Sequence, residues 1–331
     1  MILRSDLAMQ HDKSSSGNLD VTKAPAMIGV DWGTSNFRAW LMDASAQPID
    51  TVTSPEGLLK VPDRDFAAAL DRACGTWLDR WPSLPILMCG MVGSRQGWQE
   101  AAYLKGNAGA ADLAQATLRI TSSPWDVRIV PGVQSTSYDG SPDVMRGEET
   151  QLVGAVAMGA PRDGLVCMPG THSKWVELRD GRIHAITTFL TGELFALLRG
   201  NSILTGLIEA EGEFAHDVGL QAFMSGLKMG KGGCAMTHKL FLIRAEALTG
   251  PGSGATADML SGLLIGSEIA TVQAELIGKD IMLIAGAGIA DHYLTALQHI
   301  GIVAPVINGD EACRAGLSAI ARKVPEWRMA A

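Results

Sequence analysis

The chain has 331 residues, 47% hydrophobic and 19% charged, with a formal net charge of −8. That is a globular composition long enough for two domains, and no Lys/Arg run offsets the acidic balance, which argues against nucleic acid or an anionic membrane surface as partner. No uninterrupted apolar stretch approaches the ~20 residues of a membrane span, and the most apolar region, 263–285, is interrupted by Glu268, Gln273, Glu275, Lys279 and Asp280.

The leader, 1–26, is polar, contains Ser14-Ser15-Ser16-Gly17 and lacks the apolar core of a signal peptide, so it reads as disordered. Strands are expected at 27–31, 37–42 and 48–53, joined by short turns, then a helix over 64–80 with Phe66, Leu70, Trp77 and Leu78 on its apolar face. Two more strands follow at 85–89 and 127–130, and a helix of small and apolar residues over 149–158. The second half repeats the plan: strands at 165–168, 173–178 and 182–189, with an Asp180-Gly181 hairpin turn, then a helix over 193–198. Helices dominate 204–278, the longest at 256–277, entered from Gly250-Pro251-Gly252-Ser253-Gly254. A buried strand at 281–285, a Gly286–Gly288 turn, a helix at 289–300, a short strand at 304–307 and an amphipathic helix at 311–323 complete the chain. The pattern implies an α/β fold with mixed sheets and a boundary near 155–160. Five widely spaced cysteines, without Cys-x-x-Cys, read as reduced thiols of a cytoplasmic protein.

Two segments share one chemistry. Asp31-Trp32-Gly33-Thr34-Ser35-Asn36 and Pro169-Gly170-Thr171-His172-Ser173-Lys174 each place a Gly-Thr turn between two strands. Such a turn offers backbone N–H groups and a hydroxyl to an anion, and Asp31 can hold a cation. One such turn is an ordinary hairpin. Two, each heading half of the chain, suggest phosphate hairpins facing one nucleotide. Asp31 would then hold Mg²⁺ while Gly33, Thr34, Asn36, Gly170, Thr171 and Ser173 contact phosphates. Lys174 adds charge if it points inward; as a solvated strand residue it would not. His172 reads as a turn residue.

Three further segments carry candidates. Arg146-Gly147-Glu148-Glu149 opens the junction helix, where a carboxylate could take a proton from a substrate hydroxyl or merely complement the helix dipole. Gly93-Ser94-Arg95-Gln96-Gly97-Trp98 is a loop suited to a small molecule, and Arg95 matches a carboxylate. Gly286 and Gly288 suit an adenosine-binding turn; as a dinucleotide fingerprint the segment fails at Asp291. The stretch 226–231 lacks Walker A spacing and is no P-loop.

The β-turn-β-turn-β-helix start of both halves resembles the ribonuclease H-like core duplicated in the actin, hexokinase and heat-shock 70 superfamily. The segments 31–40, 93–98, 145–151, 169–175 and 190–193 together resemble the 2-dehydro-3-deoxygalactonokinase family of sugar-acid kinases. The resemblance implies ATP, Mg²⁺ and phosphorylation of the 6-hydroxyl of 2-dehydro-3-deoxy-D-galactonate, for use in galactonate catabolism. It implies two domains, 27–158 and 159–331, around a central cleft. The sugar acid would be held by Ser94, Arg95, Gln96, Gly97, Trp98 and Arg146. In related sugar kinases an aspartate of a Gly-Asp-Gln-Gln segment is the base; here Gly147-Glu148-Glu149-Thr150 stands there, which points to Glu148 and leaves Glu149 open. Monomer and homodimer both stay open. The competing readings are a kinase of another sugar or sugar acid on the same fold, a nicotinamide-dependent oxidoreductase resting on 286–291, and a non-catalytic ATP-binding sugar sensor.

Overall fold

The structure, a computed structural model, describes residues 24–208, 216–250 and 255–327. The leader before residue 24 and the glycine-rich entry at 251–254 lie outside the described residues. In chain order the strands are β1 Pro25–Trp32, β2 Phe37–Asp43, β3 Pro48–Ser54, β4 Ile86–Cys89, β5 Leu104–Lys105, β6 Leu118–Arg119, β7 Val127–Ile129, β8 Val133–Thr136, β9 Pro142–Met145, β10 Gly164–Met168, β11 Ser173–Arg179, β12 Arg182–Phe189, β13 Ile281–Ala285 and β14 Val306–Asn308. The helices are α1 Phe66–Arg80, α2 Ala110–Gln115, α3 Glu148–Ala157, α4 Thr191–Gly200, α5 His216–Lys231, α6 Met236–Thr249, α7 Thr256–Leu276, α8 Ala287–Gln298 and α9 Gly309–Ala321.

Two mixed sheets dominate. The first runs β3-β2-β1-β4-β7-β6 and the second β12-β11-β10-β13-β14. In each, the first three strands pair antiparallel, and the opening strand then pairs parallel with a later one, β1 with β4 and β10 with β13. Each opening strand is buried on both faces, as its apolar run requires. Ile28, Val30 and Trp32 face α1, while Met27 faces the centre of the molecule. Leu165 and Cys167 pack with α7 and α8 residues, while Val166 and Met168 face the same centre. Side chains alternate along a strand, so each opening strand serves two cores.

Between the sheets lie α3 and α9. They cross so closely that a Cβ on Gly154 would stand 1.7 Å from the Ala312 carbonyl oxygen, and one on Gly316 1.8 Å from that of Thr150. Only glycine permits this approach. The terminal helix α9 therefore touches β1 and β4 of the first sheet as well as β13 and β14 of the second. The glycines of 226–231 have a similar packing use: a Cβ on Gly226 would strike the Met259 carbonyl oxygen on α7 at 2.1 Å.

A small third sheet, β5-β8-β9, has no counterpart in the sequence reading. It covers the edge strand β12: Asp143 accepts hydrogen bonds from the Thr188 N–H at 2.7 Å and hydroxyl at 2.8 Å, and the Ser135 hydroxyl donates to the His184 carbonyl. The helix expected at 289–300 begins at Ala287, capped by Gly286, so Gly288 belongs to its first turn rather than to the loop before it. Four of the five cysteines are buried thiols, and Cys234 is exposed. No helix among the described residues is long and apolar enough to cross a membrane.

Candidate functional site

The first Gly-Thr turn closes through the Gly33 N–H donating to the Asn36 carbonyl at 2.9 Å. It is seated on Gly57, where a Cβ would stand 2.2 Å from the Thr34 carbonyl oxygen. The side chains of Thr34 and Asn36 are exposed above it. Asp31, at the end of β1, is ion-paired at 2.7 Å with Arg38 from β2, and Arg38 also reaches Asp310 at the start of α9. Burial raises the Asp31 carboxyl above the usual carboxylate range, with Arg38 pulling the other way. Two glycines make room beside it. Gly90 (φ +90°) lies where a Cβ would be 3.1 Å from Asp31 Oδ1, and Gly147 (φ +111°) abuts the Gly90 backbone. Positive φ at Gly147 turns the chain so that α3 starts next to Asp31.

Glu148 and Glu149 then diverge. Glu148 stays 26% exposed; its Oε1 meets Lys174 Nζ at 2.8 Å and its Oε2 accepts the Arg146 N–H at 3.1 Å. Glu149 is fully buried, accepting from the Gly147 N–H at 2.7 Å and from the Thr150 hydroxyl at 3.2 Å. Burial, with Glu148 adding to it, pushes its carboxyl up to about 8. Lys174 points inward: only 5% of its side chain is exposed, and it also donates to the His172 carbonyl. The Lys174–Glu148 pair thus joins the strand after the second Gly-Thr turn to the helix beside the first.

Gly170 and Thr171 are exposed in the second turn, whereas Ser173 is turned away, its hydroxyl donating to Glu268 at 2.6 Å in the interior. Its side chain therefore belongs to the scaffold beneath the turn. His172 is exposed and pairs with Glu193. A Cβ at Gly286 or Gly288 would meet no atom of the other described residues within 4 Å, so these glycines leave space at the start of α8.

Arg95 and Arg146 behave oppositely. Arg95 is 86% exposed and held at 3.0 Å by Glu100, so its charge faces solvent. Gln96 is exposed, Gly97 is packed on the Val92 carbonyl, and Trp98 stacks on Phe66. Arg146 is buried. One nitrogen donates to the Ala101 carbonyl at 2.8 Å and the guanidinium lies 4.4 Å over the Tyr103 ring. Its Nε and Nη1 have no partner among the described residues, and neither has the buried Ser94 hydroxyl. Nη1 lies 3.0 Å from where a Gly93 side chain would begin. Unpaired buried donors are costly, which makes Arg146 and Ser94 candidates for meeting an acceptor.

The described residues hold no group of three or more His, Cys, Asp or Glu side chains arranged for a metal. Sequence reasoning did not find Arg38 and Asp310 as partners of Asp31, nor Glu268; the only trace of the last is an acid interrupting an apolar run.

Residues 31–320 match a family model described as 2-keto-3-deoxy-galactonokinase. The chain belongs to this family. It is 39% identical over 307 residues to a probable 2-dehydro-3-deoxygalactonokinase of Rhizobium meliloti, covering 92% of this chain and 99% of that one. It is 35% identical over 299 residues to the 2-dehydro-3-deoxygalactonokinase of Escherichia coli, covering 90% and 98%. A crystal structure of a Sinorhizobium meliloti protein assigned as a 2-dehydro-3-deoxygalactonokinase aligns with a TM-score of 0.80 at 40% identity, over 91% of this chain and 99% of that one. A fold likeness alone extends to an activator of 2-hydroxyisocaproyl-CoA dehydratase from Clostridium difficile, solved with bound ADPNP, at a TM-score of 0.50 and 10% identity over 90% and 95% of the two chains. Across this galactonokinase family match lie both Gly-Thr turns, Arg146, Glu148 and α8. The oxidoreductase reading of 286–291 finds no support in it.

Proposed function

We propose that the chain transfers the γ-phosphoryl group of ATP to the 6-hydroxyl of 2-dehydro-3-deoxy-D-galactonate. The observation that carries this reading is the convergence of Asp31, Glu148 and Lys174 at one point where the two Gly-Thr hairpins come together, within a chain of the galactonokinase family. We further infer that the halves are duplicated ribonuclease H-like domains, 27–158 and 159–331, around a central cleft. The matching order of five strands in each sheet, three antiparallel and then two joined in parallel, supports this; the first sheet adds β6 antiparallel at its edge.

Gly33, Thr34 and Asn36 on one side and Gly170 and Thr171 on the other would hold the phosphates through backbone N–H groups and hydroxyls. Asp31 would hold Mg²⁺, which neutralises charge on the phosphates when bound. Gly286 and Gly288, at the N-terminal end of α8, would lie against the adenosine. Arg146 and Ser94, with free donors, would take the substrate carboxylate and a hydroxyl; Arg146 replaces Arg95 in that role because only Arg146 is buried with donors to spare. Glu148 accepts the proton of the 6-hydroxyl as the new P–O bond forms and the bond to the ADP oxygen breaks. Lys174 holds Glu148 in place through their 2.8 Å ion pair. Glu149, buried and protonated near neutrality, is the wrong group for this task. Buried reduced thiols and an ATP requirement fit a cytoplasmic enzyme.

The test is ATP consumption by the purified protein against a panel of sugar acids, with the product read by ³¹P NMR. The expected result is turnover with 2-dehydro-3-deoxy-D-galactonate and a phosphomonoester on C6. Turnover with a different sugar acid only, or none with any, would overturn the assignment.

A further inference from the structure

Glu268 sits in the apolar helix α7, only 2% exposed. Its Oε1 accepts from the Ser173 hydroxyl at 2.6 Å and the Trp175 indole N–H at 2.8 Å. Its Oε2 accepts from the Tyr293 hydroxyl at 2.9 Å and from the Thr191 hydroxyl. Four neutral donors from three other elements therefore converge on one carboxylate. A buried charge is expensive and seldom more stabilising than an apolar side chain of the same volume. What this one provides is a fixed geometry, and the identity of its partners says of what.

Ser173 is the first residue of β11, directly after the Gly170–His172 turn. Thr191 precedes Gly192, and a Cβ on Gly192 would stand 2.3 Å from the Gly170 carbonyl oxygen and 2.8 Å from Thr171 Cα. The turn therefore rests on the first turn of α4, where the Glu193 N–H also donates to the Thr171 carbonyl at 2.8 Å. Tyr293 lies on α8, the helix that begins at Gly286. One carboxylate thus ties together the strand below the second Gly-Thr turn, the helix on which that turn rests, and the helix that opens at the adenosine glycines. Glu268 itself is buried, only 2% exposed, whereas Gly170 and Thr171 are exposed.

We infer that Glu268 is the positioning residue of the nucleotide half: it fixes the Gly170–Thr171 turn relative to the start of α8, so that one ATP meets both. The inference rests on the assignment of these two segments to ATP under the proposed function. Loss of one hydrogen bond to this carboxylate loosens the turn without touching Arg146 or Ser94, which lie in the other half. The effect belongs to ATP and not to the sugar acid.

The experiment compares the full-length wild type with Glu268→Gln, Tyr293→Phe and Thr191→Val. Steady-state KM is measured for ATP and for the sugar acid, with calorimetric ATP binding and thermal unfolding alongside. Glu268→Gln keeps one acceptor oxygen but turns an NH₂ group toward two hydroxyls. It should raise the KM and Kd for ATP about tenfold, as expected when a charge-assisted contact is lost, and leave the sugar-acid KM within about twofold. Tyr293→Phe and Thr191→Val should shift the ATP values in the same direction by about threefold, and they carry the test if Glu268→Gln fails to fold. Arg146→Met in the same assay should show the opposite split. Unchanged ATP KM and Kd in the folded variants, with kcat falling only with the folded fraction, would overturn the inference and leave Glu268 a structural residue. A wild type that binds no ATP would instead overturn the nucleotide assignment, and this inference with it.

Discussion

Lys174 Nζ and Glu148 Oε1 stand 2.8 Å apart, and they come from opposite halves of the chain. Lys174 follows the second Gly-Thr turn on β11; Glu148 opens α3 beside Asp31. A largely buried ammonium meets a partly buried carboxylate, and the ion pair sets their separation. In the proposed reaction Lys174 would serve as the cation for the phosphoryl oxygens and Glu148 as the acceptor for the proton, and the ion pair would hold the two together before substrate arrives.

Glu148→Gln preserves size and removes the proton acceptor. It should lower kcat by ~10²–10⁴-fold with ATP binding nearly intact. Lys174→Met should lower kcat and weaken ATP. Because the two side chains are partners, the double variant should lose less than the sum of the single losses, by about 1–2 kcal/mol. A double-mutant cycle in kcat checks this, and strict additivity would mean that the pair is not coupled in the reaction.

Arg146 and Arg95 give a second contrast. Arg146 has two donor nitrogens in the interior without a partner among the described residues, while Arg95 is exposed and paired with Glu100. Arg146→Met should cost ~2–3 kcal/mol in kcat/KM for the sugar acid, the scale of a lost charge-assisted contact. Arg95→Ala should stay within ~0.5 kcal/mol, as surface changes usually do. Steady-state kinetics with the sugar acid varied at saturating ATP decide between them, and the reverse ranking would move the carboxylate site to the 93–98 loop.

These residues mark how far the sequence could be read. Both hairpin triplets were legible because alternation and a Gly-Thr turn are local signals, and their edges fall within about two residues of those expected. The β5-β8-β9 sheet was not, because strands of two to four residues carry no usable period. Asp310 could not be linked to Arg38 across 272 residues by any spacing. The direction of Arg146 follows from the Gly147 turn and from packing over Tyr103, whereas nothing local separates it from Arg95. Glu268 was visible only as a break in an apolar run, although its four donors make it a central polar group of the second half.

Glu149 makes stability depend on pH. Its carboxyl is raised from an ordinary 4.5 to about 8 in the folded chain. The folded state therefore binds a proton that the unfolded state has released between those values. Its contribution is complete below about pH 4.5 and is lost as pH rises through about 8. Glu149→Gln mimics the protonated acid: its oxygen can accept from the Gly147 N–H and its amide can donate to the Thr150 hydroxyl, which can reverse. Urea denaturation of both proteins across pH 5–9 should show the variant gaining on the wild type as pH rises, on the order of a few kcal/mol by pH 9. Parallel curves would show that Glu149 titrates normally in the fold.

The α3–α9 crossing is the last relationship open to test. α3 carries Glu148 and α9 carries Asp310, which shares Arg38 with Asp31, so the crossing sets the spacing of the candidate site. A Cβ on Gly316 would stand 1.8 Å from the Thr150 carbonyl oxygen, and the obstacle is backbone, which cannot rotate away. Gly316→Ala must push the helices apart. The cost should be ~2–3 kcal/mol of stability, as for overpacked cores, and kcat should fall in the fraction that remains folded. Gly206→Ala is the control, since a side chain there meets no described atom within 4 Å; it should change stability by no more than ~0.5 kcal/mol. Denaturant unfolding with kcat corrected for folded protein checks both. Stability loss in Gly316→Ala without loss of corrected kcat would mean that the crossing supports the fold but does not set the site.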